Sequence, residues 1–156
     1  MTITTADRPA PQAPATASAW PRVVGDVMSR AVVVAYPGAA AEDIARVLCR
    51  DGVDLVPVID EDRRVIGVVS AFDLLAPAVP EHPRETSRVV TARELMTTPP
   101  IITTVSAPIV EAGGRMVRHG VRSLPVVTRD GVLVGVVARA DIVRAFLRPD
   151  DAVETG

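Results

Sequence analysis

Displaced by 68 positions, this chain aligns with itself without a gap from Val24 to Val143. Met28 then falls on Met96, Ala39 on Ala107, Gly52 on Gly120, Pro57 on Pro125, Asp62 on Asp130 and Asp73 on Asp141. The runs Gly67-Val68-Val69 and Gly135-Val136-Val137 coincide in full. An ungapped register of that length means two copies of one structural unit. Two copies are too few for a solenoid, so the expected arrangement is a pair packed with pseudo-two-fold symmetry.

Each copy presents its elements in the same order. Ala31 to Ala35 and Ile101 to Thr104 are short runs rich in β-branched residues and predict strands. Ala40 to Asp51 places Ile44, Val47 and Leu48 at helical spacing and ends at Gly52, a residue that tolerates the left-handed cap. Its counterpart runs from Pro108, a good first-turn residue, to His119 and ends at Gly120. Inside that second helix, Gly113 and Gly114 each cost about 1 kcal/mol relative to Ala, and a close approach of another helix is one reason to tolerate them.

Leu55 to Ile59 and Leu124 to Val127 predict strands, followed by charged turns at Asp60 to Arg64 and Thr128 to Gly131. Val65 to Val69 and Val132 to Val137 return as nearly all-apolar strands, the composition of strands buried on both faces. Short helices follow at Ser70 to Leu75 and Ala138 to Leu147. The fold class is therefore α/β (α+β), two β-α-β-β-α repeats. The predicted boundaries are a disordered leader over 1–21, repeat 1 over 22–76, a proline-rich linker over 77–90, repeat 2 over 91–148 and a tail over 149–156.

Composition narrows the function. Aromatics make up 3% of the 156 residues against 48% hydrophobic, so the core is aliphatic. All seventeen basic residues are Arg, the side chain best shaped to grip phosphate. A net charge of -2 offers no basic field for a nucleic-acid backbone, which argues against nucleic-acid binding. Cys49 is the only cysteine, so an intrachain disulfide or a Cys-rich metal site is excluded. His82 falls in the linker and His119 near a helix end, neither with metal-ligand spacing, and Trp20 precedes the first repeat. Glu42, Asp43 and Glu111 lie in first helical turns, where acidic residues are favourable without any catalytic role. No signal-peptide pattern and no apolar run of about 18 residues is present, so the expectation is a cytoplasmic protein with no membrane partner. No nucleophile and base constellation, Walker-type loop or metal-ligand spacing is found, and no enzyme activity is expected.

The residues that suggest chemistry are the corners where the last strand of each repeat meets its last helix, GVVSAFD (Gly67 to Asp73) and GVVARAD (Gly135 to Asp141). Ser70 and Asp73 are three apart at a helix start, so both side chains can face one cleft. An ionised carboxylate is acceptor-only and takes hydrogen bonds from both hydroxyls of a ribose cis-diol, while free backbone N–H groups at a helix start favour phosphate. The competing reading is a capping box, in which Ser70 caps the helix and Asp73 reaches back to backbone N–H. Ala138 has no hydroxyl, so capping weighs more heavily for Asp141.

With the lead-in motifs VGDVMSR (Val24 to Arg30) and ARELMTTPP (Ala92 to Pro100), and the mid-repeat motifs DLVPVID (Asp54 to Asp60) and RSLPVVT (Arg122 to Thr128), these corners resemble the cystathionine-β-synthase (CBS) domain family. Its domains occur in tandem pairs called Bateman modules, and the resemblance covers Val23 to Leu147. It implies a stand-alone regulatory module that binds an adenosine-containing ligand (AMP, ADP, ATP, S-adenosylmethionine or a NAD-type cofactor) in clefts between the repeats. It also implies a homodimer acting on a separate effector protein. By resemblance, the Ser/Thr-x-x-Asp corner of one repeat shares a cleft with the first strand and pre-proline segment of the other. Ser70 and Asp73 would face Met96, Pro99, Ile101, Val121 and Arg122, with Arg122 reaching a phosphate. The other cleft would join Ala138, Arg139 and Asp141 to Met28, Ala31, Val33, Val53 and Asp54. Asp54 stands where the first cleft has Arg122 and would repel phosphate, so that cleft is expected to be the weaker. The alternative is a structural or protein-interaction member of the family with no ligand, which Ala138 and Asp54 favour and the intact Ser70/Asp73 pair opposes.

Overall fold

The computed structural model describes residues 23–75 and 89–147. The predicted leader with Trp20, the tail, and all of the linker except Val89 and Val90, His82 included, lie outside the described residues. The described chain forms two compact units whose borders differ from those of the repeats. One unit holds 32–75, 89–100 and 127–133, and the other holds 23–31, 101–126 and 134–147.

The first unit opens with helix α1 (Ala41–Asp51), whose Ile44 and Leu48 point into the core and whose chain reverses at Gly52 with φ 63°. Arg50 donates to Asp51 at the helix end at 3.0 and 3.2 Å, and this hydrogen bonding holds the Asp51 carboxyl below its ordinary range. Strands β1 (Leu55–Ile59) and β2 (Val65–Ser70) form an antiparallel hairpin in which Val56 faces Val69 and Leu55 faces Ser70. Asp60 organises its turn, its carboxylate accepting from the N–H groups of Asp62 and Arg64 at 2.9 Å each. Helix α2 (Ala71–Leu75) follows β2 directly.

Helix α3 (Ala92–Leu95) comes from the lead-in segment of the second repeat, yet it completes this first unit. Ala92 and Leu95 pack with Ala35, Ile44, Leu48, Val56, Val58 and Val69 in one core. Backbone bonds fix the docking: Ala41 N–H donates to the Val90 carbonyl and Ala92 N–H to the Ala39 carbonyl, both at 2.8 Å.

The second unit mirrors this logic. Helix α4 (Ile109–His119) ends at Gly120 with φ 64°, and strands β3 (Thr103–Thr104), β4 (Ser123–Val127) and β5 (Leu133–Ala138), of which all but the end residues Val127 and Leu133 belong to this unit, form a sheet in that order. Helix α5 (Arg139–Phe146) closes the unit. The missing lead-in comes from the first repeat: Val24, Val27 and Met28 pack with Ile109, Ala112, Met116, Leu124, Val126, Val137 and Ile142. Val24 N–H donates to the Ala107 carbonyl at 2.8 Å and Gly25 N–H to the Val105 carbonyl at 2.9 Å. The repeats have thus exchanged lead-in segments, each burying its apolar residues in the unit built mainly from the other repeat.

This exchange explains two departures from the sequence reading. The expected strand Ala31 to Ala35 reduces to a single parallel bridge between Ala35 and Val58, and Ile101 to Thr104 reduces to the two residues of β3. The chain passes from one unit to the other between Ala31 and Val32, and again between Pro100 and Ile101, so only the far end of each run lies beside a strand partner. The last strands also differ from the expectation of burial on both faces. Both β2 and β5 alternate, with Gly67, Val69, Leu133, Gly135 and Val137 buried and their neighbours half-buried. They belong to antiparallel hairpins, which need only one fully covered face.

The glycine pair in α4 also finds its setting. A Cβ on Gly113 would meet the Ile142 side chain of α5 at 3.4 Å, whereas one on Gly114 would meet only the flexible Arg118 side chain at 3.7 Å. Helix approach therefore bears on Gly113 and not on Gly114.

Candidate functional site

In the first unit, β2 ends on Ser70 and the chain turns straight into α2, which puts Asp73 one helical turn away. One oxygen of the Asp73 carboxylate, Oδ2, accepts from the Ser70 N–H at 2.7 Å and from the Ser70 hydroxyl at 3.0 Å. The acid half of the capping box is therefore made. The Ser70 hydroxyl is turned onto the carboxylate. Both residues are half-buried, so the carboxylate is held in place while remaining reachable by solvent.

A third partner comes from the exchanged lead-in segment. Thr97 pairs with Val68 through two backbone bonds, at 2.9 and 3.2 Å, which lays this segment along β2. In that position the Thr97 hydroxyl donates to Asp73 Oδ1 at 3.1 Å, and the Thr98 hydroxyl to the Ile66 carbonyl at 3.0 Å. Sequence reasoning missed Thr97. The available signal was its place directly after Met96, in a motif already singled out.

Met96 and Gly67 explain each other. A Cβ built on Gly67 would lie 2.6 Å from the Met96 sulfur, so the missing side chain of the strand makes room for the methionine of the lead-in. The same pairing recurs in the second unit, where a Cβ on Gly135 would lie 2.9 Å from the Met28 sulfur and 2.7 Å from the Ser29 carbonyl oxygen. The glycine that opens each GVV motif is thus the seat of the other repeat's methionine.

The second corner is built alike but carries different chemistry. Asp141 accepts from the Ala138 N–H at 2.9 Å and lies 3.7 Å from an Arg144 guanidinium nitrogen on the same helix. Ser29, the counterpart of Thr97, makes the matching backbone bridge with Val136. Its hydroxyl turns to the Ala31 carbonyl at 3.4 Å. Arg122 and Arg139 are neighbours in this unit, the Arg139 N–H donating to the Arg122 carbonyl at 2.8 Å, with both residues exposed.

The residues grouped by resemblance divide as follows. Ser70, Asp73, Met96 and Pro99 belong to the first unit, while Ile101, Val121 and Arg122 belong to the second. Asp141, Arg139, Met28 and Ala31 belong to the second unit, while Val33 and Val53 belong to the first. Within its own unit, Pro99 is exposed beside Thr98, and Val53 packs against the first core. Ile101 and Val121 pack against the second. Among the described residues no cluster of His, Cys, Asp and Glu could hold a metal ion, and no helix is long and apolar enough to cross a membrane.

The sequence pattern of the CBS domain matches residues 24–77 and again residues 92–148. The chain belongs to the CBS-domain family. It carries the domain in tandem, and its α/β units match the fold of other CBS pairs. The crystal structure of CBSX2 in complex with AMP is similar to it with a TM-score of 0.72 and 32% identity, over 80% of this chain and 96% of that one. CBSX2 is a CBS domain-containing protein of Arabidopsis thaliana. An uncharacterized protein of Methanopyrus kandleri is 32% identical over 78% of this chain and 61% of its own length. A homoserine O-acetyltransferase of Methanococcoides burtonii is 31% identical over 78% of this chain but only 23% of its own length. The chain thus spans less than two thirds of the first curated relatives that it matches.

Proposed function

We propose that this CBS pair is a regulatory module without catalytic activity of its own, binding an adenosine-containing ligand through the Ser70–Asp73 corner. The observation that carries the reading is the geometry of Asp73: a half-buried carboxylate whose Oδ2 is held by the Ser70 N–H and hydroxyl, which leaves Oδ1 as the oxygen to meet a sugar diol. Support comes from CBSX2, whose crystallised chain resembles 80% of this one and is described in complex with AMP. Candidate ligands are AMP, ADP, ATP, S-adenosylmethionine and NAD-type molecules. The second corner serves mainly as a helix cap, because Ala138 supplies no hydroxyl and Asp141 lies near Arg144.

A regulatory module needs an output, and a ligand shifts an equilibrium only by binding two states differently. We include in the proposal a homodimer and a separate effector protein. Phe72 and Leu75 on α2 and Val110 and Val117 on α4 are exposed apolar side chains that favour such contacts. Sedimentation at several concentrations tests the dimer.

The ligand reading is tested by calorimetry with AMP and the other candidates on wild type and on Asp73→Ala and Asp141→Ala. The expected result is uptake of at least one ligand, lost in Asp73→Ala and largely retained in Asp141→Ala. Absence of binding by any of them at millimolar concentration would favour a structural or protein-interaction role.

A further inference from the structure

We infer that the Thr97 hydroxyl is a latch on the ribose site, occupying an acceptor position of Asp73 that a cis-diol must take. This inference rests on the ligand reading above and assigns a residue beyond it. A carboxylate offers about four lone-pair positions, two on each oxygen. Among the described residues, Ser70 fills both positions on Oδ2 through its N–H and hydroxyl, and Thr97 fills one on Oδ1. One position remains, and a diol that spreads its two hydroxyls over the carboxylate needs two. Of the three donors the Ser70 N–H is fixed by the helix start, and the Ser70 hydroxyl sits on a half-buried side chain. The Thr97 hydroxyl belongs to an exposed residue and its bond, at 3.1 Å, is the longest of the three. It is the donor that yields.

The second unit shows that this contact is separable from the fold. Ser29 makes the same backbone bridge to β5 that Thr97 makes to β2, with bonds of 2.8 and 2.9 Å, while its hydroxyl donates to the Ala31 carbonyl. The bridge therefore does not require the hydroxyl to reach the aspartate. Thr97→Val keeps the shape and the backbone pairing and removes the donor. In the ligand-free protein the latch satisfies Asp73; on binding, its bond is exchanged for one to the sugar, and that exchange weakens apparent affinity.

The test compares AMP and 2′-deoxy-AMP by calorimetry on wild type, Thr97→Val and Asp73→Ala, with urea unfolding of the free proteins alongside. Thr97→Val is expected to bind AMP about fivefold more tightly, the worth of one net hydrogen bond, while its urea midpoint falls. Its gain for 2′-deoxy-AMP, which has one hydroxyl fewer to place, is expected to be smaller. A purely structural role moves stability alone and cannot tighten binding. AMP affinity unchanged or weakened in Thr97→Val, with Asp73→Ala losing AMP as expected, overturns the latch and leaves the ligand reading standing. The same comparison is made with another candidate ligand if that, and not AMP, is what the wild type takes up; wild type that takes up none of the candidates, or Asp73→Ala that binds undiminished, brings down both.

Discussion

Adding one methyl group at the two equivalent glycines, Gly67 and Gly135, should have unequal consequences, because the atoms in the way differ. At Gly135 the new Cβ would lie 2.7 Å from the carbonyl oxygen of Ser29 and 2.9 Å from the Met28 sulfur. That carbonyl accepts from the Val136 N–H, and the Ser29 N–H donates to the Val136 carbonyl. Moving Ser29 away strains both bonds. Overpacking costs about 1–3 kcal/mol. Two weakened backbone hydrogen bonds add up to about 1 kcal/mol each. The loss of chain freedom on replacing Gly by Ala returns about 0.4–1 kcal/mol. The net cost of Gly135→Ala is therefore about 0–5 kcal/mol, centred between about 2 and 3 kcal/mol. At Gly67 the three nearest atoms, 2.6, 2.9 and 3.1 Å away, all belong to the Met96 side chain, and the Val68–Thr97 backbone pairing is not among them. Methionine repacks through three rotatable bonds, so Gly67→Ala should cost only about 0–2 kcal/mol. Urea unfolding followed by circular dichroism, at fixed protein concentration, measures the difference. Equal costs, or a larger cost at Gly67, would refute the idea that backbone contact decides the penalty.

Other substitutions probe the rest of the fold. The Thr103 hydroxyl on β3 is buried with no hydrogen-bond partner among the described residues, so Thr103→Val should raise stability by about 1 kcal/mol in urea unfolding, and a loss would contradict this. Gly114→Ala should stabilise by about 1 kcal/mol, since the methyl meets only a flexible arginine; thermal unfolding checks it, and destabilisation would mean that α4 is more closely covered there. Arg63 adopts φ 61° at the position where the second repeat has Gly131 with φ 81°. Arg63→Gly should therefore gain up to about 1 kcal/mol by relieving the left-handed strain, and an unchanged urea midpoint would show the strain to be offset by the flexibility of glycine in the unfolded chain.

Much of this protein was legible in one dimension. The order of elements, the caps at Gly52 and Gly120 and the helix starts follow from hydrophobic period and from residues whose local conformation is restricted. The Ser70/Asp73 pair was legible for the same reason, since three residues at a helix start place both side chains together whatever surrounds them. Two readings failed where locality ended. The strands expected at Ala31 to Ala35 and Ile101 to Thr104 have the right residue types but find partners only at their far ends.

The sequence by itself determined that there are two copies, what each is made of, and which corner carries the complete Ser-x-x-Asp set. Tertiary structure decided which copy each lead-in completes. Residue type alone gives Met28 and Met96 no destination, for both glycine seats are chemically alike; the family resemblance groups Met96 with the first corner and Met28 with the second, and the packed units seat Met28 against Gly135 and Met96 against Gly67. That assignment in turn brings Thr97 to Asp73, 24 residues away in the chain. Periodicity encodes the face that a segment buries. The partner that covers the face is selected by the whole set of contacts, and no local pattern records it.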